Sequence, residues 1–410
     1  MNLLGAFSKV SEGIFCTDAP LVCFSHLRWD FVLQRPQHLM QRFSADRQVF
    51  FFEEYIPTDH HLAYLEIHPF AGTTVKAIRP RVPHWWSEGE RETALARLLD
   101  DLLALQGGRQ PILWFYTPLM FAFARHVDAA AVVYDCMDEL ANFKFAPPQL
   151  KAMEQALLAR ADVVFTGGYS LYEAKRDRHD NVHAFPSSVD AHHFRNARNG
   201  QASPPDQVGI KGPRLGFYGV IDERLDLALI RDIAAARPDW SFIFLGPVVK
   251  ISQNDLPRAA NIHYLGQKTY AELPAYLSGW DVAIMPFALN DATRFISPTK
   301  TPEYLAAGRP VVSTPITDVI RSYGDVPGVY IAGDWASFVD ACAAALALCQ
   351  SSEPWLESVD ALLARSSWDD TARKMRLLIE QSMGAPAPLP PEATGPFAPR
   401  AAPEQPTPHA

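Results

Sequence analysis

Short apolar runs alternate with amphipathic stretches along most of the chain. LVCFS, from Leu21, carries no charge and predicts a buried strand. RPQHLMQRFS, from Arg35, sets Leu39, Met40 and Phe43 on one helical face. QVFFFEE from Gln48 predicts a second strand and TVKAIRP from Thr74 a weaker one, before the clear helix GERETALARLLDDLLAL. ILWFY, AVVYD, ADVVFT and VHAFPSSV continue the strands, with helical spacing in MFAFARHV and PPQLKAMEQALLARA. Strands that read as unbroken apolar runs, separated by helices, imply a parallel sheet covered on both faces. Gly, Pro and polar residues interrupt the alternation over 196–213, and it then restarts. RLGFYGV, SFIFLG, NIHYLG, DVAIMPF and RPVVST are the further strands. DERLDLALIRDIAAARP, YAELPAYLSG, TPEYLAAG, FVDACAAALALCQ and SWDDTARKMRLLIEQS are the further helices. The pattern predicts an α/β protein of two doubly wound halves. Residues 20–200 form the first, 201–213 a linker, 214–365 the second, and 366–383 a closing helix. Residues 1–19 are expected to be an irregular leader. The Pro- and Ala-rich 384–410 are expected to be disordered, having too little apolar surface to offset the entropy of ordering.

The length of 410 residues accommodates two or three domains of ordinary size. The formal charge of −9 lacks a basic nucleic-acid footprint, so DNA and RNA are not expected partners. Five cysteines with no C-x-x-C argue against a disulfide framework and a structural zinc site. Cys23 and Cys136 fall in strands and are expected to be buried and inert. The start is not a convincing signal peptide, and no apolar run reaches membrane-spanning length. The expected location is cytoplasmic.

The chain lacks a P-loop, a G-x-G-x-x-G fingerprint, H-E-x-x-H, G-x-S-x-G and any D-x-D pair. The last absence disfavours a transferase that chelates a divalent cation through that pair. The most informative stretch is SPTKTPEYLAAGRPVV, residues 297–312. It reads as a turn, a short helix ended by Gly308, and a strand. Free amides at the turn and the charge of Lys300 suit a diphosphate. Glu303, one turn on, offers two acceptor oxygens to a vicinal diol. Phosphate charge at one end and a ribose diol at the other describe a nucleoside diphosphate site.

These segments, with LGFYGVIDERLD, FLGPVVKI and SHLRWDFVLQRPQHLMQRF, resemble nucleotide-sugar glycosyltransferases of the GT-B fold. The likeness is greatest to the family 4 and family 1 group used in bacterial polysaccharide assembly, and it spans roughly residues 20–383. It implies two Rossmann-like domains facing a central cleft, acceptor on the N-terminal side and nucleotide sugar on the C-terminal side. It implies that Glu303 binds the donor ribose, that Lys300, Ser297 and the turn amides about Thr299 hold the diphosphate, and that Gly266 and Gln267 lie by the base, usually uracil. No cofactor or metal is implied. The partners are a UDP-linked donor and a saccharide or lipid-linked acceptor, with peripheral contact to the inner membrane. Two departures stand out. The family 4 pattern has a second Glu eight residues before the ribose Glu, where this chain has Phe295. A Gly-Arg … Lys-Gly pair is replaced by GVIDERLD, leaving Arg224 or Arg294 to supply the cation, with Gly219 as a close-approach glycine.

In the N-terminal half, AVVYDCMDEL ends a strand with Asp135 and Asp138, and ligands of such sheets lie beyond strand carboxyl ends. Asp138 is the candidate general base of an inverting transfer, a helix N-cap being its structural alternative. His26 is the other candidate base, or else a ligand of the donor phosphate; Arg28, Asp30 and Asp135 are acceptor-side candidates. Trp85 and Trp86, near Arg79 and Arg81, suggest a membrane or lipid contact, or a loop packed on its own domain. A UDP-sugar epimerase of the same fold, a non-catalytic nucleotide-sugar binder, and a protein acting through its Pro-rich tail are the other functions that fit.

Overall fold

The computed structural model describes residues 19–351 and 354–384. The expected leader, but for Ala19, and the expected tail, but for Gly384, lie outside them. The first sheet contains β1 (Leu21–Ser25), β2 (Val49–Glu53), β3 (Ile56–Thr58), β4 (Tyr64–Pro69), β5 (Val75–Pro83), β6 (Ile112–Phe115), β7 (Ala131–Cys136), β8 (Val163–Thr166) and β9 (Val182–Ala184). Its order is β3-β5-β2-β1-β6-β7-β8-β9, with β4 attached to β5. The second contains β10 (Arg214–Tyr218), β11 (Ser241–Leu245), β12 (Ile262–Tyr264), β13 (Val282–Met285), β14 (Val311–Ser313) and β15 (Val329–Ile331), in the order β12-β11-β10-β13-β14-β15. In each sheet the order reverses beside the first strand, which opens a crevice at the carboxyl ends there.

Every pairing on these two paths is parallel, whereas β4 and β5 are antiparallel. The strand read as weak at Thr74 is nine residues long and pairs with β2, β3 and β4. Alternating burial along its second half leaves one face wetted, which an antiparallel edge tolerates and a doubly covered parallel sheet does not. The expectation of a purely parallel first half is corrected there.

The helix Trp368–Ser382 closes the chain on the first sheet, not the second. Its Trp368, Ala372, Met375 and Ile379 join the core that holds Leu21, Leu39, Trp114 and Val133. Its apolar positions recur at three- and four-residue spacing, so one stripe faces that core. The Trp368 ring stacks on His38 with centroids 4.7 Å apart, and Arg42 pairs with Asp369 at 2.6 Å. The polypeptide therefore crosses between the two sheet units twice. Cys23, Cys136 and Cys342 are buried free thiols, and Cys349 is exposed and free. Among the described residues no helix is long and apolar enough to cross a membrane.

Candidate active site

A cavity of about 710 Å³ lies where the carboxyl ends of the two sheets face each other. Its C-terminal wall is built on β10 and on the helix Lys300–Ala306. Strand β10 ends at Tyr218, and Gly219 follows with φ +143°, a conformation that side-chain-bearing residues rarely adopt. A Cβ there would overlap the Lys300 side chain and come 3.0 Å from its Nζ. The glycine thus lets Lys300 run across the strand end. Burial pulls the Lys300 ammonium down to about 8; the charge of Arg224 adds to this, while Glu303 opposes it. Burial pushes the Glu303 carboxyl up to about 7, against the Tyr218 hydroxyl and Lys300, which favour its ionised form. Tyr218 donates its hydroxyl proton to Glu303 Oε2. Arg224 is fixed by Asp222, with Nε 2.9 Å from Oδ1 and Nη2 2.8 Å from Oδ2.

The N-terminal wall carries Asp138, two residues beyond β7. Burial raises its carboxyl to about 6, partly offset by the charges of Arg224 and Lys300 from the opposite wall. Asp138 and the two cations therefore share one electrostatic environment across the cleft. The loop is anchored on its other side, where Lys175 Nζ lies 2.7 Å from Glu139 and 2.6 Å from Glu154. This arrangement can hold two phosphate groups against Lys300 and Arg224, present Glu303 to a diol, and offer a carboxylate base from the facing wall.

Asp30, Asp138, Gly219, Arg224, Gln267, Ser297, Thr299, Lys300 and Glu303 all line this one cavity. Gln267 also donates to the Phe31 carbonyl of the facing domain at 3.1 Å. Asp30 is paired with Arg79 at 2.7 Å, and that hydrogen bond lowers its carboxyl further. Five candidates are not brought to the lining. Asp135 is fully buried and grips Arg35 through both oxygens, at 2.9 to 3.1 Å, because a carboxylate inside the sheet requires a full partner. Arg28 is drawn to the buried Glu53 at 3.0 Å. Arg294 is exposed and lies over the Phe295 ring. Gly266 takes φ +74° and gives its carbonyl to Gly246 N. His26 does not line the cavity; burial, then the charge of Lys250, lowers its imidazole to about 4, and its Nδ1 has no hydrogen-bond partner.

Phe295, at the position of the family's second Glu, packs against the apolar cluster of the first sheet. Arg79 and Arg81 are committed to Asp30, Glu53 and Glu66, so the basic component expected beside Trp85 is neutralised. Tyr218, Arg35 and Tyr270 line the cavity and were missed. Tyr218 was findable, since it stands at a strand carboxyl end. Arg35 was not, because its orientation depends on Asp135, a hundred residues away.

The Arg35–Asp135 pair provides a stability test. Asp135→Ala strands a buried guanidinium and is expected to destabilise the chain by about 3–5 kcal/mol. Denaturant unfolding checks this. A midpoint equal to that of the unchanged chain would mean that Arg35 finds solvent.

The fold is that of GT-B glycosyltransferases. Sucrose-phosphate synthase of Thermosynechococcus elongatus superimposes with a TM-score of 0.66 at 15% identity, over 89% of this chain and 99% of that one. Anabaena HepE, solved with UDP and glucose, gives 0.64 at 12% identity, over 87% and 98%. Residues 212–347 match the model of the family Glycosyl transferases group 1. A Bacillus subtilis (strain 168) protein provisionally named a teichuronic acid biosynthesis glycosyltransferase, TuaH, is 29% identical over 269 residues, 60% of this chain and 67% of its own. Fold and family match together support glycosyltransferase function.

Proposed function

We propose that this protein transfers a sugar from a UDP-sugar to a hydroxyl of a saccharide or lipid-linked acceptor, without a metal ion, in bacterial polysaccharide synthesis at the cytoplasmic face of the membrane. The observation that carries this reading is the convergence of Lys300, Arg224 and Glu303 from one domain with Asp138 from the other around a single cavity. The ionised Glu303 accepts from the ribose hydroxyls. Lys300 and Arg224 bind the diphosphate and stabilise the charge that develops as the anomeric C–O bond breaks. Asp138 takes the proton of the attacking hydroxyl. HepE, of the same fold, was solved with UDP and glucose, which supports uracil as the base. TuaH's name supports a polysaccharide product. The half-exposed Trp85 is one side chain available to a membrane surface.

The test is calorimetric titration with UDP in EDTA. UDP-hexoses are then incubated with simple glycosides and bacterial lipid extracts, with UDP release as the readout. Tight UDP binding in EDTA with acceptor-dependent UDP release is expected. No binding of UDP would overturn the donor assignment. Glu303→Ala is expected to weaken UDP binding by about 10- to 100-fold, the worth of a charged hydrogen-bond pair of about 1.5–3 kcal/mol. Glu303 must be ionised to accept from two hydroxyls and Lys300 protonated to bind phosphate. Affinity should therefore rise with pH through about 7 and fall above about 8. In Glu303→Gln the rise through 7 should vanish; its persistence would assign that limb to another group.

A further inference from the structure

The glycines at 167 and 168, just past β8, sit where the two domains meet. Gly167 faces its own domain: its amide donates to the Cys136 carbonyl at 2.8 Å, and a Cβ there would come 2.8 Å from the Met137 carbonyl oxygen. It therefore packs directly on the loop that carries Asp138. Gly168 faces the other domain: a Cβ there would come 2.7 Å from the Ser297 Cβ and closer still to the Asp318 carboxylate. Ser297 belongs to the turn that leads to Lys300. Asp318 reaches across from the second domain and accepts from the Ser170 amide at 3.0 Å, while its Oδ2 is buried without a partner. An ion pair between Arg321 and Glu173, at 2.5 Å, flanks this contact. The backbone of Gly168 is extended, with φ −169° and ψ 171°, which any residue adopts. The glycine is required for space between the domains and not for its own conformation.

We propose that Gly167-Gly168 and Asp318 form a register stop, a positioning contact that sets how closely the Ser297–Lys300 turn approaches the Asp138 loop. One residue touches the loop of the candidate base and the next touches the turn of the phosphate site, so two adjacent α-carbons gauge the width of the reacting cavity. The distance matters because transfer requires the reacting atoms within about 3–3.5 Å, and a displacement of about 1 Å costs on the order of 100-fold. This role rests on the transferase reading, but the contact itself is testable without it.

Gly168→Ala places a methyl group between the domains and leaves each domain's own backbone unstrained. Small-angle X-ray scattering of the full chain with saturating UDP should show a more open particle than the unsubstituted protein. UDP affinity should stay within about 2-fold, because every donor ligand lies in the second domain, while kcat should fall on the order of 100-fold at unchanged donor KM. Asp318→Ala in the Gly168→Ala background clears the tightest overlap and should restore part of both the compact scattering and kcat. A Gly168→Ala profile that superimposes on the unsubstituted one overturns the proposal. So does a parallel loss of UDP affinity, which would place the defect in the donor site. Absence of UDP binding in the unsubstituted chain would instead overturn the donor assignment, and the scattering comparison without UDP would still judge the contact.

Discussion

Asp138→Asn should lower the rate of transfer by about 10²–10⁴-fold, the usual contribution of a positioned general base, with UDP affinity little changed. The amide keeps the size of the side chain and removes its basicity. Burial holds the Asp138 carboxyl near 6, well above the ordinary aspartate range, while Arg224 and Lys300 keep it from rising further. A carboxyl with a raised pKa is an effective base above that value and is protonated below it. The kcat/KM of the unsubstituted protein should therefore fall as pH drops through about 6, and this limb should be absent from the residual activity of Asp138→Asn. Steady-state rates of UDP release across the acidic range, with calorimetric UDP binding beside them, make the measurement. Full activity in Asp138→Asn would assign the carboxylate to orientation alone and would fit a transfer that retains configuration, where a base at the acceptor is less needed.

Lys300→Met should have an effect of comparable size, for an electrostatic reason. Its ammonium lies across the end of β10 on a partly buried stem, where a fixed charge aimed at a developing one is worth more than in open solvent. Removing one such group typically costs about 10²–10³ in kcat. UDP affinity should fall as well, because ground-state phosphate charge is bound by the same group. Lys300→Arg is not expected to rescue. The stem of residue 300 passes where a Cβ of residue 219 would stand, and a longer, planar guanidinium does not place its charge where the ammonium's compact point charge sits. The unsubstituted ammonium loses its proton above about 8, so kcat should decline there, a decline absent from Lys300→Met. Unchanged kcat and UDP affinity in Lys300→Met would leave Arg224 as the phosphate ligand and Lys300 as packing.

The separate effects expected for the two walls follow from how the cleft is made. In the proposed reading the donor contacts lie within residues 218–303, inside the segment that matches the group 1 glycosyl transferase family, and the candidate base comes from the other sheet. Substitutions at Glu303 should act on binding, those at Asp138 on turnover, and those at Gly168 on the register between them.

Local pattern was enough to indicate the α/β architecture and the Ser297–Glu303 segment. Short apolar runs set between amphipathic helices read as strands covered on both faces, and a Lys and a Glu one turn apart on a short helix point to the same side. Asp138 was legible for a similar reason, standing just past a strand end. The antiparallel ribbon at β4 and β5 was not, because half-buried alternation over a few residues is a weak signal beside the long runs around it. That Asp135, the acceptor-side candidate in the same segment as Asp138, does not reach the cleft could not be read from that segment. Arg35 decides it, by pairing with Asp135 inside the sheet and leaving Asp138 free at the rim. Arg28, an acceptor-side candidate, and Arg224 and Arg294, the two candidate cations for the diphosphate, could not be told apart by residue type. Their partners separate them: Glu53 draws the first away, Asp222 holds the second in the cavity, and the third lies on an exposed ring. Phe295 likewise became intelligible only once it was seen against the apolar cluster of the other domain. By itself the sequence determined what short-range periodicity and local spacing can encode: the succession of strands and helices, the division into two halves, and one phosphate-and-diol segment. The tertiary structure alone decided which charges face one another across the cleft, because that depends on pairings between residues a hundred or more positions apart and on the close approach of Gly168 to Ser297 and Asp318.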